Sequence, residues 1–185
     1  SDLLLVKDAK IYAVASRSYE KANEFAQKHD AIKAYGSYIE LIMDPNIDII
    51  YIATPHNSHA ELSIKSLEHG KHVLCEKPVA LNLREATLMT KASRENSKFF
   101  MEAFWTRFNP SLRDVLFKVK QGVLGEIKYI NADFAFNIGN PTGRMADFTM
   151  GGGSLLDMGV YPLFLTYMIL GNPSKILASA NFFDT

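Results

Sequence analysis

Cysteine is nearly absent. Cys75 stands alone among 185 residues, so the chain can form no internal disulfide, which fits a reducing compartment. No Cys/His pair has zinc spacing, so no structural metal site is expected. Charge of one sign is also lacking: 20 Lys plus Arg balance 20 Asp plus Glu, which removes the overall basic field that draws a chain to nucleic acid or anionic lipid. No stretch approaches the ~20 apolar residues needed to span a bilayer. The opening Ser1-Asp2-Leu3-Leu4-Leu5-Val6-Lys7 has neither the basic flank nor the small-residue cleavage site of a signal peptide. Together these absences predict a cytoplasmic protein whose partner is a small molecule rather than nucleic acid or membrane.

What is present reads as an ordinary globular composition, 48% hydrophobic and 22% charged. The first hundred residues alternate short apolar runs with helical patterns, which predicts an α/β fold with a Rossmann-type parallel sheet. Ile11 to Ala15 and Ala31 to Tyr35 read as strands. A helix lies between them behind a cap at Ser18. Ser37 and Glu40 form a capping-box pattern for a short helix. Ile47 to Ala53, rich in β-branched residues, is expected to be a central strand. Thr54-Pro55-His56-Asn57-Ser58-His59 turns into a helix ending at Gly70, followed by a strand to Cys75, a helix opened by Asn82 and Glu85, and a strand from Phe99 to Phe104.

From about residue 106 the pattern changes. A helix is expected from Ser111 to Gln121 and an alternating strand from Ile127 to Phe136. Beyond a polar loop, the triplet Gly151-Gly152-Gly153 leads into a helix to Leu170, and Ile176 to Phe183 is a further strand candidate. Residues 1–105 are thus expected to form a dinucleotide-binding domain. Residues 106–185 are expected to form part of an α+β domain with an open, mostly antiparallel sheet. No Gly-x-Gly-x-x-Gly phosphate turn occurs, and the first strong strand already ends in the Ser16-Arg17 turn suited to a second Rossmann strand. The first strand and its glycine-rich turn, and part of the second domain, are therefore expected to lie outside this sequence.

Glu76-Lys77-Pro78 follows a buried strand, at the edge where open α/β sheets place their ligands, with proline fixing the turn. A lysine there can donate to a hydroxyl or carbonyl; alone, the tripeptide also fits a surface ion pair. Asp157 and Tyr161 stand four residues apart, so on an α-helix they share a face. They could equally be a core tyrosine and the acid that satisfies it. The turn Ser16-Arg17-Ser18 carries a guanidinium where an acid would hold the ribose hydroxyls of NAD, which points to a 2′-phosphate and NADP, although a solvated arginine fits as well. His56 and His59 lie on a strand-to-helix turn, and Trp105 to Arg107 end the last strand of the first region.

In order, the segments Ala13-Val14-Ala15-Ser16-Arg17-Ser18, Ala53-Thr54-Pro55, Cys75-Glu76-Lys77-Pro78, Met101-Glu102-Ala103, Trp105-Thr106-Arg107 and Gly151 to Tyr161 resemble the Gfo/Idh/MocA oxidoreductases. Within them the chain looks most like the dimeric dihydrodiol dehydrogenase group, since Tyr161 stands where many inositol-dehydrogenase-like members carry histidine. The resemblance implies that Lys77 and Tyr161 work on the reacting hydroxyl or carbonyl while Asp157 orients them. It places Ser16, Arg17, Thr54, His59, Glu76, Lys77, Trp105 and Arg107 near NADP, with NAD possible, and implies a dimer formed through the C-terminal sheet. The expected activity is hydride transfer between nicotinamide and a secondary alcohol of a sugar, polyol or trans-dihydrodiol. A non-catalytic dinucleotide-binding regulator, or a reductase of a conjugated ring or imine, would use the same residues.

Overall fold

The computed structural model describes residues 2–137, 139 and 142–181. Strand and helix alternate in the order β1 (Ala13–Ala15), α1 (Tyr19–Lys28), β2 (Lys33–Tyr35), α2 (Tyr38–Met43), β3 (Ile49–Ile52), α3 (His59–Glu68), β4 (His72–Glu76), α4 (Leu83–Glu95) and β5 (Phe100–Ala103). All the pairings are parallel, as crossover helices require. The Ser18 hydroxyl accepts the Lys21 N–H at 3.3 Å to open α1, and the Asn82 side chain accepts the Glu85 N–H at 3.0 Å to open α4. Ser37 caps α2 through the Ile39 N–H at 3.2 Å, one residue earlier than a capping box would have it. Gly70, at φ 76, ends α3 in a conformation that favours glycine.

The strand period of two puts Ile50, Ile52, Val73 and Cys75 into one layer with Leu62 and Leu67 of α3 and Met89 and Ala92 of α4. Leu67, Met89 and Val73 are completely buried. The opposite side of β3 is open, with Ile49 and Tyr51 exposed. β3, whose sequence suggests a central strand, has one paired neighbour, β4, among the described residues. The strands divide into a pair, β1-β2, and a triplet, β3-β4-β5, with no ladder between β1 and β3.

Side chains tie the two sheets together instead. The Asp44 carboxylate, on the turn before β3, accepts from Lys33 Nζ at 2.9 Å and from the Tyr35 hydroxyl at 2.6 Å, both on β2, and from the Asn46 N–H at 2.9 Å. The buried Lys71 ammonium reaches the carbonyls of Asp44 and Ile47 at 2.6 and 2.7 Å, so the turn before β4 is fastened to the same point.

The second region departs from expectation. The helix α5 (Pro110–Lys120) forms behind an Asn109 cap with proline in its first turn, and Gly122 at φ 74 follows it. Residues 127–136, however, form no strand, and nor do 176–181; 182 and 183 of that second candidate lie outside the described residues. Alternation is not enough, because a strand needs a neighbour for its N–H and C=O groups, and among the described residues no ladder reaches either segment. The open antiparallel sheet and the dimer surface placed on it therefore have no counterpart among the described residues.

The expected helix after the glycine triplet is in fact two: a π-helical turn, Leu155–Gly159, and then α6 (Val160–Leu170). Contrary to the expectation from the sequence, Phe148–Leu170 as a helical run is long and apolar enough, by length and composition only, to cross a membrane. It is interrupted by glycine and carries Asp157, whose carboxylate is paired with Lys77 of the parallel-sheet region.

Lys33, Tyr35 and Asn46 hold the Asp44 carboxyl well below the usual carboxylate range, the Tyr35 hydroxyl contributing most. A depressed carboxyl stabilises the fold above its unfolded value near pH 4, and that contribution is lost as pH falls further. Asp44→Asn should lower the urea midpoint at pH 7 and flatten its decline between pH 5 and pH 3. Equal acid sensitivity in the two chains would contradict the assignment.

Candidate active site

Parallel strands share a polarity, so Ser16, Thr54, Lys77 and Trp105 all follow the carboxyl ends of their strands. The turn after β4 contains a cis Lys77-Pro78 bond. Its lysine side chain, largely buried, donates to the Asp157 carbonyl at 2.7 Å and pairs with the Asp157 carboxylate at 3.3 Å. The ammonium also lies 5.1 Å from the centre of the Tyr161 ring, within cation–π range. Lysine, aspartate and tyrosine thus meet, although 80 residues separate Lys77 from Asp157.

The roles differ in detail from an α-helical spacing. Asp157 sits in the π-helical turn and Tyr161 in α6. The Tyr161 hydroxyl accepts the Trp105 indole N–H at 3.2 Å, rather than an interaction with Asp157. Phe104 and Phe134 flank its ring at 5.3 and 5.2 Å between centroids. Two adjoining cavities result. A smaller one of about 200 Å³ is lined by Thr54, Glu76, Lys77 and Asp157, with His56 and Arg144. A larger one, about 500 Å³, lies among Trp105, Asn131, Phe134 and Tyr161. Lys77 belongs to the first and Tyr161 to the second, with the ammonium over the ring between them.

Other expected residues divide in the same way. Glu76 accepts the Lys77 N–H at 3.2 Å and the Tyr51 hydroxyl, which is pushed up chiefly by burial and then by that carboxylate. Thr54 accepts from the Ser58 hydroxyl at 2.7 Å and lines the smaller cavity. Ser16 accepts the Ser18 N–H at 3.4 Å, and Arg17 beside it is exposed. His59 also lines the smaller cavity; it is fully buried, with Nδ1 2.9 Å from the Pro78 carbonyl and Nε2 2.8 Å from that of Thr54. Its ring thus lies between the two turns at the floor of that cavity. Arg107 is exposed and lines neither cavity.

Sequence reasoning passed over Arg144 and Glu102. Arg144 comes from the loop 142–150 and places its guanidinium 3.7 Å from the Asp157 carboxylate and 3.5 Å from His56 Nε2. The other nitrogen of His56 lies 3.3 Å from the Gly151 carbonyl, and burial lowers the pKa of this ring. A neutral ring donating from Nδ1 and accepting at Nε2 satisfies both contacts. No pattern around a lone loop arginine signals this meeting.

Comparisons with known proteins identify the family. Residues 3–104 match the family model described as an oxidoreductase family with an NAD-binding Rossmann fold, and residues 113–185 match the Gfo/Idh/MocA C-terminal domain. The chain belongs to the Gfo/Idh/MocA oxidoreductase family. Among relatives of this family, trans-1,2-dihydrobenzene-1,2-diol dehydrogenase of Sus scrofa is 41% identical over 185 residues, covering 99% of this chain and 55% of that protein. The Bos taurus enzyme of the same name is 42% identical over 171 residues, 91% of this chain and 51% of its own length. The chain thus spans about half the length of the curated relatives it matches. A 3-ketoreductase from Actinomadura kijaniata, solved with NADP and TDP-benzene, superposes with a TM-score of 0.85 at 31% identity over 91% of this chain and 52% of that one. An aldose-aldose oxidoreductase from Caulobacter crescentus, complexed with glycerol, gives 0.84 at 26% identity over the same shares.

Two glycines of the triplet in this Gfo/Idh/MocA chain, Gly151 and Gly152, serve close packing. A Cβ at Gly152 would stand 2.7–2.8 Å from the carbonyl oxygens of Arg144, Asp147 and Met145, and one at Gly151 would stand 2.4 Å from Leu81. Gly152→Ala should therefore loosen the 142–152 loop and cost roughly 1–3 kcal/mol by overpacking. Faster tryptic cleavage at Arg144, together with a lower urea midpoint, would show it. Unchanged cleavage would separate the glycine from the loop.

Proposed function

We propose that the full-length protein is an NADP-dependent oxidoreductase that moves a hydride between nicotinamide and a secondary alcohol or carbonyl of a sugar, polyol or trans-dihydrodiol. The observation that carries this reading is the meeting of Lys77, Asp157 and Tyr161 at the carboxyl edge of a parallel sheet. The relatives named as dihydrodiol dehydrogenases and the NADP-bound 3-ketoreductase support it.

The residues present fit the two ends of a dinucleotide. Arg17, exposed after β1 and flanked by Ser16 and Ser18, offers a free guanidinium suited to a 2′-phosphate. Thr54, Glu76, Lys77 and Trp105 surround the cavities at the other end. When bound there, the nicotinamide ring supplies or accepts the hydride.

The chain's own task is the proton and the charge. Lys77, held by Asp157, donates to the substrate oxygen and stabilises negative charge on it. Tyr161 carries a phenol that can pass a proton to or from that oxygen, and the Trp105 N–H fixes its orientation. Thus Lys77 and Tyr161 are catalytic, Asp157 orients the lysine, and the aromatic walls exclude water. We assign the cofactor half to residues 1–105 and the substrate half to 106–185, in keeping with family-model matches that end at 104 and resume at 113.

In the full-length chain, Lys77→Ala and Tyr161→Phe should each lower kcat by about 10²–10⁴-fold, the usual worth of a proton donor. NADP affinity, followed by fluorescence titration, should stay within a few-fold. Near-normal turnover in both variants would overturn the assignment of roles. Arg17→Ala should weaken NADP by about 10-fold or more and leave NAD nearly unchanged, on the scale of one charge-assisted contact; equal losses for the two cofactors would remove the 2′-phosphate argument.

A further inference from the structure

Lysine has a long, flexible stem, so the place of its ammonium is set by its backbone and by what the head group meets. In this chain the turn carrying Lys77 is held from both sides. The Val79 N–H donates to the Glu102 carboxylate at 2.9 Å, joining the turn to the end of β5. On the opposite side the Pro78 carbonyl faces His59 Nδ1 at 2.9 Å, while Nε2 of the same ring faces the Thr54 carbonyl, joining the turn to the end of β3. His59 is completely buried, and burial raises the Glu102 carboxyl above its ordinary value. Two partly or wholly desolvated polar side chains therefore converge on the two residues that follow the lysine.

We propose that Glu102 and His59 are positioning residues that clamp the Lys77-Pro78-Val79 turn between the flanking strand ends, so that the Lys77 ammonium meets Asp157 and the substrate oxygen. The proposal rests on the catalytic reading of Lys77. Neither side chain touches the reacting atoms; each acts through the backbone of the turn. The acceptor oxygen of Glu102, rather than its charge, is what the Val79 N–H requires. Glutamine retains that oxygen and alanine does not.

The test compares Glu102→Gln and Glu102→Ala in the full-length protein. The glutamine variant should keep kcat within about three-fold of the parent. The alanine variant should lose about 100-fold in kcat, the scale of a displacement near 1 Å at a catalytic group, while the NADP dissociation constant changes little. His59→Phe, which fills the volume without offering an N–H, should behave like the alanine variant. A readout independent of turnover is the acetylation rate of Lys77 by acetic anhydride, measured by mass spectrometry against exposed Lys91. It should rise in Glu102→Ala and His59→Phe and stay unchanged in Glu102→Gln. If the parent shows no alcohol-dependent reduction of NADP, the functional reading fails while acetylation still decides the clamp. Full activity and unchanged acetylation in the alanine variant would overturn the clamp, and so would a glutamine variant as impaired as alanine. Should the alanine and phenylalanine variants not fold, exchange of the Val79 amide in the parent decides: slow exchange supports the clamp, and exchange at the free-peptide rate refutes it.

Discussion

The ion pair between Lys77 and Asp157 joins the two regions of the chain at the point where chemistry is expected. Its lysine belongs to a turn between parallel strands, and its aspartate to a π-helical turn that follows a glycine-tight loop. Both partners are substantially withdrawn from water, where an unpaired charge would be costly. The pair thereby draws residues 155–161 against the sheet edge. Tyr161 then packs beside Trp105 and Phe104, and Arg144 comes within reach of the same carboxylate.

Below the site, Asp44 gathers donors from β2 and from its own turn while Lys71 binds its carbonyl, and so links the β1-β2 pair to the β3-β4-β5 triplet. Within the triplet the paired strands run parallel, so Thr54, Lys77 and Trp105 emerge on one edge. Residues far apart in sequence can share one site because that edge is common.

Much of this was legible in the sequence. Alternation of strand and helix is a local property, written in apolar runs, caps at Ser18 and Asn82, and the stop at Gly70, and it located all five strands of the parallel region to within a few residues. What failed was non-local. The run from Ile127 to Phe136 has the alternation of a strand, yet pairing depends on a neighbour that its own residues do not encode.

The site shows the same division. Lys77, Asp157 and Tyr161 could be picked out because each belongs to a recognisable segment, whereas their geometry could not. An α-helical spacing would put the aspartate and the phenol on one face, and a π turn redirects Asp157 to the lysine and leaves the phenol to Trp105. His59 was recognisable as part of the Thr54 turn, but only burial and the two carbonyls around its ring distinguish a brace from a ligand contact. The ammonium of Lys77 keeps one donor direction beyond Asp157, and the hydroxyl of Tyr161 accepts from Trp105 and keeps its proton to give.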